Sequence, residues 1–311
     1  MSLIFHTIVL PVRPQPDTLV AIFLLKEYGE VKFPGIKNAK IESLQRLAEG
    51  ETHEVHFNQG RILIDLGGGP FDHHSQKEKT TSSILVATHL EIIDDPALTK
   101  LLDYAKRDDF FGKGTVSEDH LDRAFGLSAL VTALNKQHSK NPERVVELVL
   151  PLIEAHHKEE VLRTHELPKE FKEKMENGEV EIFEVKQRDK KLNVVILTSD
   201  NPSMPGFLRS QLGGKFDVVA QWLPSGHVNI LTRPAKRIDL RSLVLLIRME
   251  ELRARGKEII KDTRYMTRSG RIEEVPDWYY DMATNSIQNG GINPKEIFPT
   301  KITKENFQDL L

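Results

Sequence analysis

The run Ile62-Leu63-Ile64-Asp65-Leu66-Gly67-Gly68-Gly69-Pro70-Phe71-Asp72-His73-His74 decides the reading of the fold. Its first three residues form a continuous apolar stretch, two of them β-branched, which fits a strand buried on both faces as in a parallel sheet. Asp65 falls at the C-terminal end of that strand. The glycines and Pro70 then break regular structure, and Asp72, His73 and His74 follow at once. In an open α/β sheet the C-terminal strand ends are where loops converge and ligands bind.

Upstream, Thr7-Ile8-Val9-Leu10 is a second apolar, β-branched run. A Pro-rich turn, Arg13-Pro14-Gln15-Pro16, leads into a stretch from Asp17 to Tyr28 that Gly29 closes. Asp17 suits a helix N-cap and Gly29 a C′ position, so strand, tight turn and helix open a βαβ unit. Downstream, a helix is expected over Ser82–His89. From Pro96 to about His165 the pattern is mostly helical, with Val145, Val146, Val149 and Ile153 at helical spacing and Pro151 as a candidate kink. The stretch 159–191 is rich in charge and poor in core residues, so it reads as a linker or surface helix. The expected organisation is a first domain over 1–165, a linker over 166–190 and a second domain over 191–311. Strands are expected at 193–197, 217–220 and 228–231, with Pro224-Ser225-Gly226 as the turn between the last two. An amphipathic helix is expected over 239–255, and the last forty residues read as irregular, anchored by Trp278, Tyr279 and Tyr280. The fold class is α/β, a doubly wound and mainly parallel sheet, with a second, smaller α+β domain.

The composition excludes several chemistries. There is no cysteine, so disulfides, zinc–thiolate sites, iron–sulfur clusters and cysteine nucleophiles are ruled out, and a reducing cytoplasm suits the chain. Twelve histidines remain as the nitrogen side chains suited to a metal. The net charge of −3 points to no polyanion or membrane partner on its own. No apolar stretch approaches the ~20 residues needed to span a bilayer, and the apolar start reads as a buried strand rather than a signal peptide. At 311 residues, two domains are the better expectation.

Asp17, Asp65, Asp72, His73 and His74 all fall at or just past strand ends. Carboxylates gathered there repel one another unless a cation is present, and carboxylate with imidazole suits Mn²⁺, Mg²⁺ or a similar ion. Simpler roles compete: Asp17 as a helix cap, Asp65 as a turn residue. His156-His157 lacks the strand, the acidic strand end and the glycine turn, and reads as a solvated helix face.

This segment resembles the DHH phosphoesterase superfamily, closest to the branch containing the melanocyte-proliferating-gene exonucleases. Thr81-Ser82-Ser83, the apolar residues after Asp17, and Tyr104-Ala105-Lys106-Arg107-Asp108-Asp109 agree with it, over roughly residues 5–115. The resemblance implies that Asp65 bridges two ions and that Asp17, His73 and Asp108 or Asp109 complete one site. It makes Asp72 and His74 the catalytic candidates, Asp72 acting from behind the ligands and His74 meeting the substrate phosphate. The other ion's usual ligands precede Asp17, where this chain has Leu10 or Pro11, and Gln15. One Mn²⁺ or Mg²⁺ site is therefore expected, and the second lacks its donors unless His6, His53 or His56 replaces them.

In the second half, twelve Lys and Arg stand against five Asp and Glu between Arg233 and Arg271, an excess of seven. Such a patch attracts polyanions, nucleic acid above all; the competing reading is a solvated helix face. Gly213-Gly214, Gly226-His227 and Asn289-Gly290-Gly291 read as plain turns or as backbone cradles for phosphate. Gly226, His227, Asn289, Gly290, Gly291, Arg233 and Arg237 are thus the candidate substrate contacts. The expected function is a metal-dependent phosphodiesterase acting on a nucleotide, oligonucleotide or nucleic acid, with an exonuclease as one form of it. The alternatives are a catalytically weak or inactive relative that binds nucleotide or nucleic acid, and a general nucleic-acid scaffold. The sequence leaves the oligomeric state open.

Overall fold

The computed structural model describes residues 3–112, 117–290 and 296–311. The chain divides into two compact units, Met1–Leu162 and Arg163–Leu311. The first is a mixed α/β unit. Its strands β1 (Thr7–Pro11), β2 (Lys40–Leu44) and β3 (Arg61–Leu63) form a parallel sheet in the order β2-β1-β3. Both apolar runs noted above are strands, whereas β2 was not legible, because Lys40-Ile41-Glu42-Ser43-Leu44 holds only two apolar residues and lacks strict alternation. With β1 central, the chain leaves it to one side for β2 and crosses to the other for β3. That reversal opens a crevice at the strand C-termini.

Helix α1 (Pro16–Tyr28) is buried along its first ten residues, Pro16 to Leu25. A helix apolar on every side must be enclosed. Around it pack α3 (Ser82–His89), α4 (Thr99–Phe111), α6 (Leu127–Gln137) and α7 (Glu143–Val161), once α2 (His53–Asn58) and α5 (His120–Phe125) are counted in chain order. Pro151 lies inside α7 without ending it. On the same helix His157 is buried, its Nε2 2.6 Å from the Tyr28 hydroxyl, which burial first and nearby carboxylates second push up to about 12. The solvated-face reading therefore holds for His156 alone. The reason is register: His157 shares the face of Val146, Val149 and Ile153 that meets α1.

The second unit is built on a seven-stranded sheet, larger than the first unit's, in the order β4-β5-β6-β7-β10-β9-β8. Residues 166–190 include a largely exposed helix, as one of the two expected readings has it, and a strand that was not expected. They contain α8 (Leu167–Glu176) and the edge strand β4 (Val180–Gln187), which pairs antiparallel along its length with β5 (Lys190–Thr198). After α9 (Met204–Arg209), β6 (Val218–Trp222) runs parallel to β5 and antiparallel to β7 (Val228–Thr232). Helix α10 (Arg241–Ala254) begins two residues inside the expected span. After α11 (Thr263–Met266), the C-terminal region is not irregular: it supplies β8 (Gly270–Ile272), β9 (Val275–Asp281), β10 (Ser286–Asn289) and α12 (Lys304–Leu310). Trp278 and Tyr280 are buried on β9 and Tyr279 is partly exposed, as alternation along a strand requires. Among the described residues no helix is long and apolar enough to cross a membrane.

Gly60 sets the entry to β3. Its φ is +74°, and a Cβ there would lie 2.2 Å from the Ile4 carbonyl oxygen. Substitution Gly60→Ala should therefore cost on the order of 2–4 kcal/mol, from left-handed strain plus a backbone clash. Denaturant unfolding checks this; a loss below about 0.5 kcal/mol would contradict it.

Candidate metal centre

The loop after β3 is shaped by its backbone. Asp65 (φ +56°), Gly67 (+79°) and Gly68 (+67°) all take left-handed conformations, which glycine adopts freely and Asp tolerates. The Asp65 N–H donates to the Phe71 carbonyl at 3.0 Å. The Asp72 carboxylate braces the turn, accepting from the Gly68 N–H at 2.8 Å and the His74 N–H at 3.0 Å. Asp72 is buried and shapes the loop, while His73 and His74 project beyond it.

Around Asp65 the side chains converge. Its Oδ1 lies 3.3 Å from His73 Nδ1 and 3.3 Å from His74 Nε2, and its Oδ2 accepts from the Thr18 hydroxyl at 3.2 Å. One donor atom from each of Asp65, His73 and His74 falls within a mutual 4.8 Å, a spacing that suits a single cation. The other ring nitrogen of His73, Nε2, is 3.5 Å from Asp109 Oδ1. The imidazole thus lies between two carboxylates from α4 and the β3 loop. Asp109 is the nearer of the two adjacent aspartates to the cluster by this contact; Asp108 is buried and lines the cavity beside it. His74 is largely exposed, with its ring centroid 4.3 Å from that of His73.

Asp17 has a different place from the one expected. Helix α1 starts at Pro16 with Gln15 at its cap, so Asp17 lies within the first turn rather than capping it. It instead caps α3 from a distance. Its Oδ2 accepts from the Ser82 N–H at 2.8 Å, and its Oδ1 from the Ser83 N–H at 3.0 Å and the Ser83 hydroxyl at 2.5 Å. The local cap, Thr81, accepts from the Ile84 N–H at 3.3 Å. His73 Nδ1 remains 3.7 Å from Asp17 Oδ2, so Asp17 borders the cluster while its oxygens serve the α3 terminus. Thr18, which sequence reasoning did not single out, joins the site because it follows Asp17 at the buried start of α1.

Burial pushes the Asp65 carboxyl up to about 6; the charge of Asp17 adds to the rise and His73 opposes it. Asp109 is raised for the same leading reason. A buried carboxylate cluster held above its ordinary range is what a bound cation relieves. The donor set, one or two carboxylates with two imidazoles, fits a Mn²⁺-like ion better than Mg²⁺, which favours oxygen ligands. None of the three spare histidines joins it. His6 is at the opposite, N-terminal end of β1 and contacts the Gln59 carbonyl; His53 packs against Gly69; buried His56 accepts from Arg61 Nε at 3.1 Å.

The candidate contacts of the second unit are built into its fold. Gly226 (φ +82°) makes the β6–β7 turn. His227 is buried, with Nδ1 2.9 Å from the Ser225 hydroxyl and Nε2 2.9 Å from the Ile297 carbonyl. Asn289 is fully buried; its amide donates to the carbonyls of Asp277 and Phe298 and its oxygen accepts from Thr300 N–H, all at 3.1 Å. Gly290 (φ +83°) follows at the end of β10, and Gly291 lies outside the described residues. Part of the basic cluster is paired within the unit. Arg233 and Lys236 meet Asp217, at 2.7 and 3.7 Å, Arg241 meets Asp239, Arg253 meets Glu250, and Arg255 meets Glu251 and Asp277. Arg248 is buried, donating to the carbonyls of Met266, Arg268 and Gly270, and desolvation lowers it to about 10. Half of the twelve cations are thus occupied, two of them by Asp217, which lies outside the stretch; Arg237 is exposed.

No family model matches the chain, and no curated protein does. Among solved structures, an uncharacterized protein from Helicobacter pylori G27 is similar at 10% identity, over 98% of this chain and 97% of that chain, with a TM-score of 0.24. A likeness of that size carries no argument about the fold or the activity.

Two outcomes follow for the metal-free protein. Because the folded state holds Asp65 protonated up to about pH 6, its contribution to stability is present below about pH 4, is lost as pH rises through 6, and stays lost above. Asp65→Asn, which keeps the left-handed backbone, should therefore raise stability at pH 7.5 by about 1–2 kcal/mol and flatten the slope between pH 4 and 6. Asp17→Ala should instead destabilise by on the order of 2–4 kcal/mol, since it strips the α3 terminus of its acceptor. Thermal melts across pH read both; an Asp17→Ala variant as stable as the native chain would refute the capping role.

Proposed function

We propose that the protein is a divalent-metal-dependent phosphoester hydrolase of the DHH kind, acting on a nucleotide or short oligonucleotide in the cytoplasm. The observation that carries this reading is the convergence of Asp65, His73 and His74 at a strand C-terminus, with Asp109 within reach of His73. Asp65, His73 and His74 would hold one Mn²⁺-like ion, with Asp109 facing the other ring nitrogen of His73. When bound, that ion supplies a Lewis acid for the phosphoryl oxygens and a lowered pKa for water. The chain's own groups do the rest. Asp72 fixes the loop so that His73 and His74 face the same point. His74, the exposed member of the group, would donate a hydrogen bond from its other ring nitrogen to a phosphoryl oxygen. Thr18 and Ser82 orient the Asp65 carboxylate, the Ser82 hydroxyl from 3.5 Å.

A second reading has its own observation. Leu10, Pro11 and Gln15 occupy the strand end where a second ion would need ligands, and Asp17 is engaged by α3. With one ion rather than two, the protein would bind phosphate-bearing ligands and cleave them slowly or not at all. Nucleic acid recognition through the second unit is weakened by the occupation of half of its twelve clustered cations.

The deciding experiment is hydrolysis of bis(p-nitrophenyl) phosphate and short oligonucleotides with Mn²⁺, beside Mn²⁺ titration calorimetry. The hydrolase reading expects Asp65→Asn and His73→Ala to abolish metal binding and to lower turnover by about a hundredfold or more. Equal rates for the native and Asp65→Asn proteins would sink it, and metal-dependent ligand binding without turnover would select the second reading.

A further inference from the structure

Beside the metal cluster, the first unit holds a cavity of about 780 Å³ whose walls carry Arg13, Arg123 and Lys136. Arg13 comes from the turn between β1 and α1, Arg123 from α5 and Lys136 from α6, so three separate segments deliver one cation each. All three are exposed, and among the described residues none has a carboxylate partner. This sets them apart from Arg233, Lys236, Arg241, Arg253 and Arg255 of the second unit, which have carboxylate partners. Asp108 and Asp109 form the remaining charged wall. Asp109 is shared: the same carboxylate lines the cavity and stands 3.5 Å from His73 Nε2. The cavity and the cluster therefore share Asp109 as a common wall.

Three like charges gathered in a concave site repel one another and raise the local potential, which an anion relieves. Arginine favours phosphate-type oxyanions, because its planar fork donates two parallel hydrogen bonds. The volume falls within the range of small-molecule sites and well exceeds a single phosphate. We infer that this cavity binds a phosphate-type anionic group through Arg13, Arg123 and Lys136, at a position separate from the group held at Asp65. Joined to the hydrolase reading, on which this second step rests, the site selects substrates with an anionic group beyond the scissile phosphate. A monoester with a neutral leaving group would leave the three cations unanswered.

The test is titration of inorganic pyrophosphate into the metal-stripped full chain by calorimetry, at low and at physiological salt. Variants Arg13→Gln, Arg123→Gln and Lys136→Gln are compared with Asp65→Asn and with the surface control Lys172→Gln. The expected result is one site in the native protein, weakened about five- to tenfold by each of the first three changes, more by any two together, and weakened by salt. Asp65→Asn and Lys172→Gln should bind as the native chain does. Because the three side chains are exposed, the variants should melt with the native protein, and a coincident melt confirms that each is folded. Absence of binding, equal binding in all variants, or loss in Asp65→Asn alone would overturn the inference. Pyrophosphate binding here without any phosphodiester cleavage would retain this site and reject the hydrolase. Cleavage indifferent to the three variants, for substrates with and without a second anionic group, would do the reverse.

Discussion

The Asp17 carboxylate bonded to the N-terminus of α3 is the interaction on which the rest of the first unit depends. It joins positions more than sixty residues apart, and it does so inside the core, where both partners are buried. An orphan helix terminus and a lone carboxylate would each be costly there; together they satisfy one another and align with the helix dipole. The bond fixes α1, which leads from β1, against α3, which follows the histidine loop. Ser82 is thereby brought to His73, with 3.2 Å between hydroxyl and Nδ1. The candidate metal centre rests on a capping contact, not on the sheet alone.

That contact explains what was legible in the sequence and what was not. The two apolar strands, the acidic strand end and the glycine turn declare themselves locally, because each depends on its own residue types. Asp65, His73 and His74 could be grouped because they are near in sequence and past a strand. The partnership of Asp17 with Ser82 and Ser83 is long-range, and a capping aspartate in front of a helix looks the same whichever helix it caps. Only the observation that Pro16 already begins α1 separates the two. The cavity cations escaped for a similar reason: Arg13, Arg123 and Lys136 are scattered singly along the chain, and no local pattern gathers them.

Local tallies misled in the opposite direction in the second unit. The basic excess between Arg233 and Arg271 is real as a count, but part of it is neutralised in space. Asp217 arrives from the start of β6 and Asp277 from β9 to pair with it. Trp278 and Thr300 add hydrogen bonds to Glu251, which also holds Arg255, so one fully buried carboxylate ties α10 to the C-terminal segment. His227 and Asn289 perform similar work on the segment near Ile297 to Thr300. Polar residues that seemed set out for a ligand are thus spent on joining a strand meander to its final helix.

The edge strand β4 has a further consequence. Its outer side carries unpaired backbone groups for the length of eight residues, a surface onto which another chain could add. Exposed Glu181, Glu184 and Lys186 line that edge, interrupting any apolar run. These are the charges that give the stretch the composition of a linker. In the folded protein they act as gatekeepers: a neighbouring strand would have to strip water from them before it could pair. The charges on β4 disfavour extension of the seven-stranded sheet by another chain.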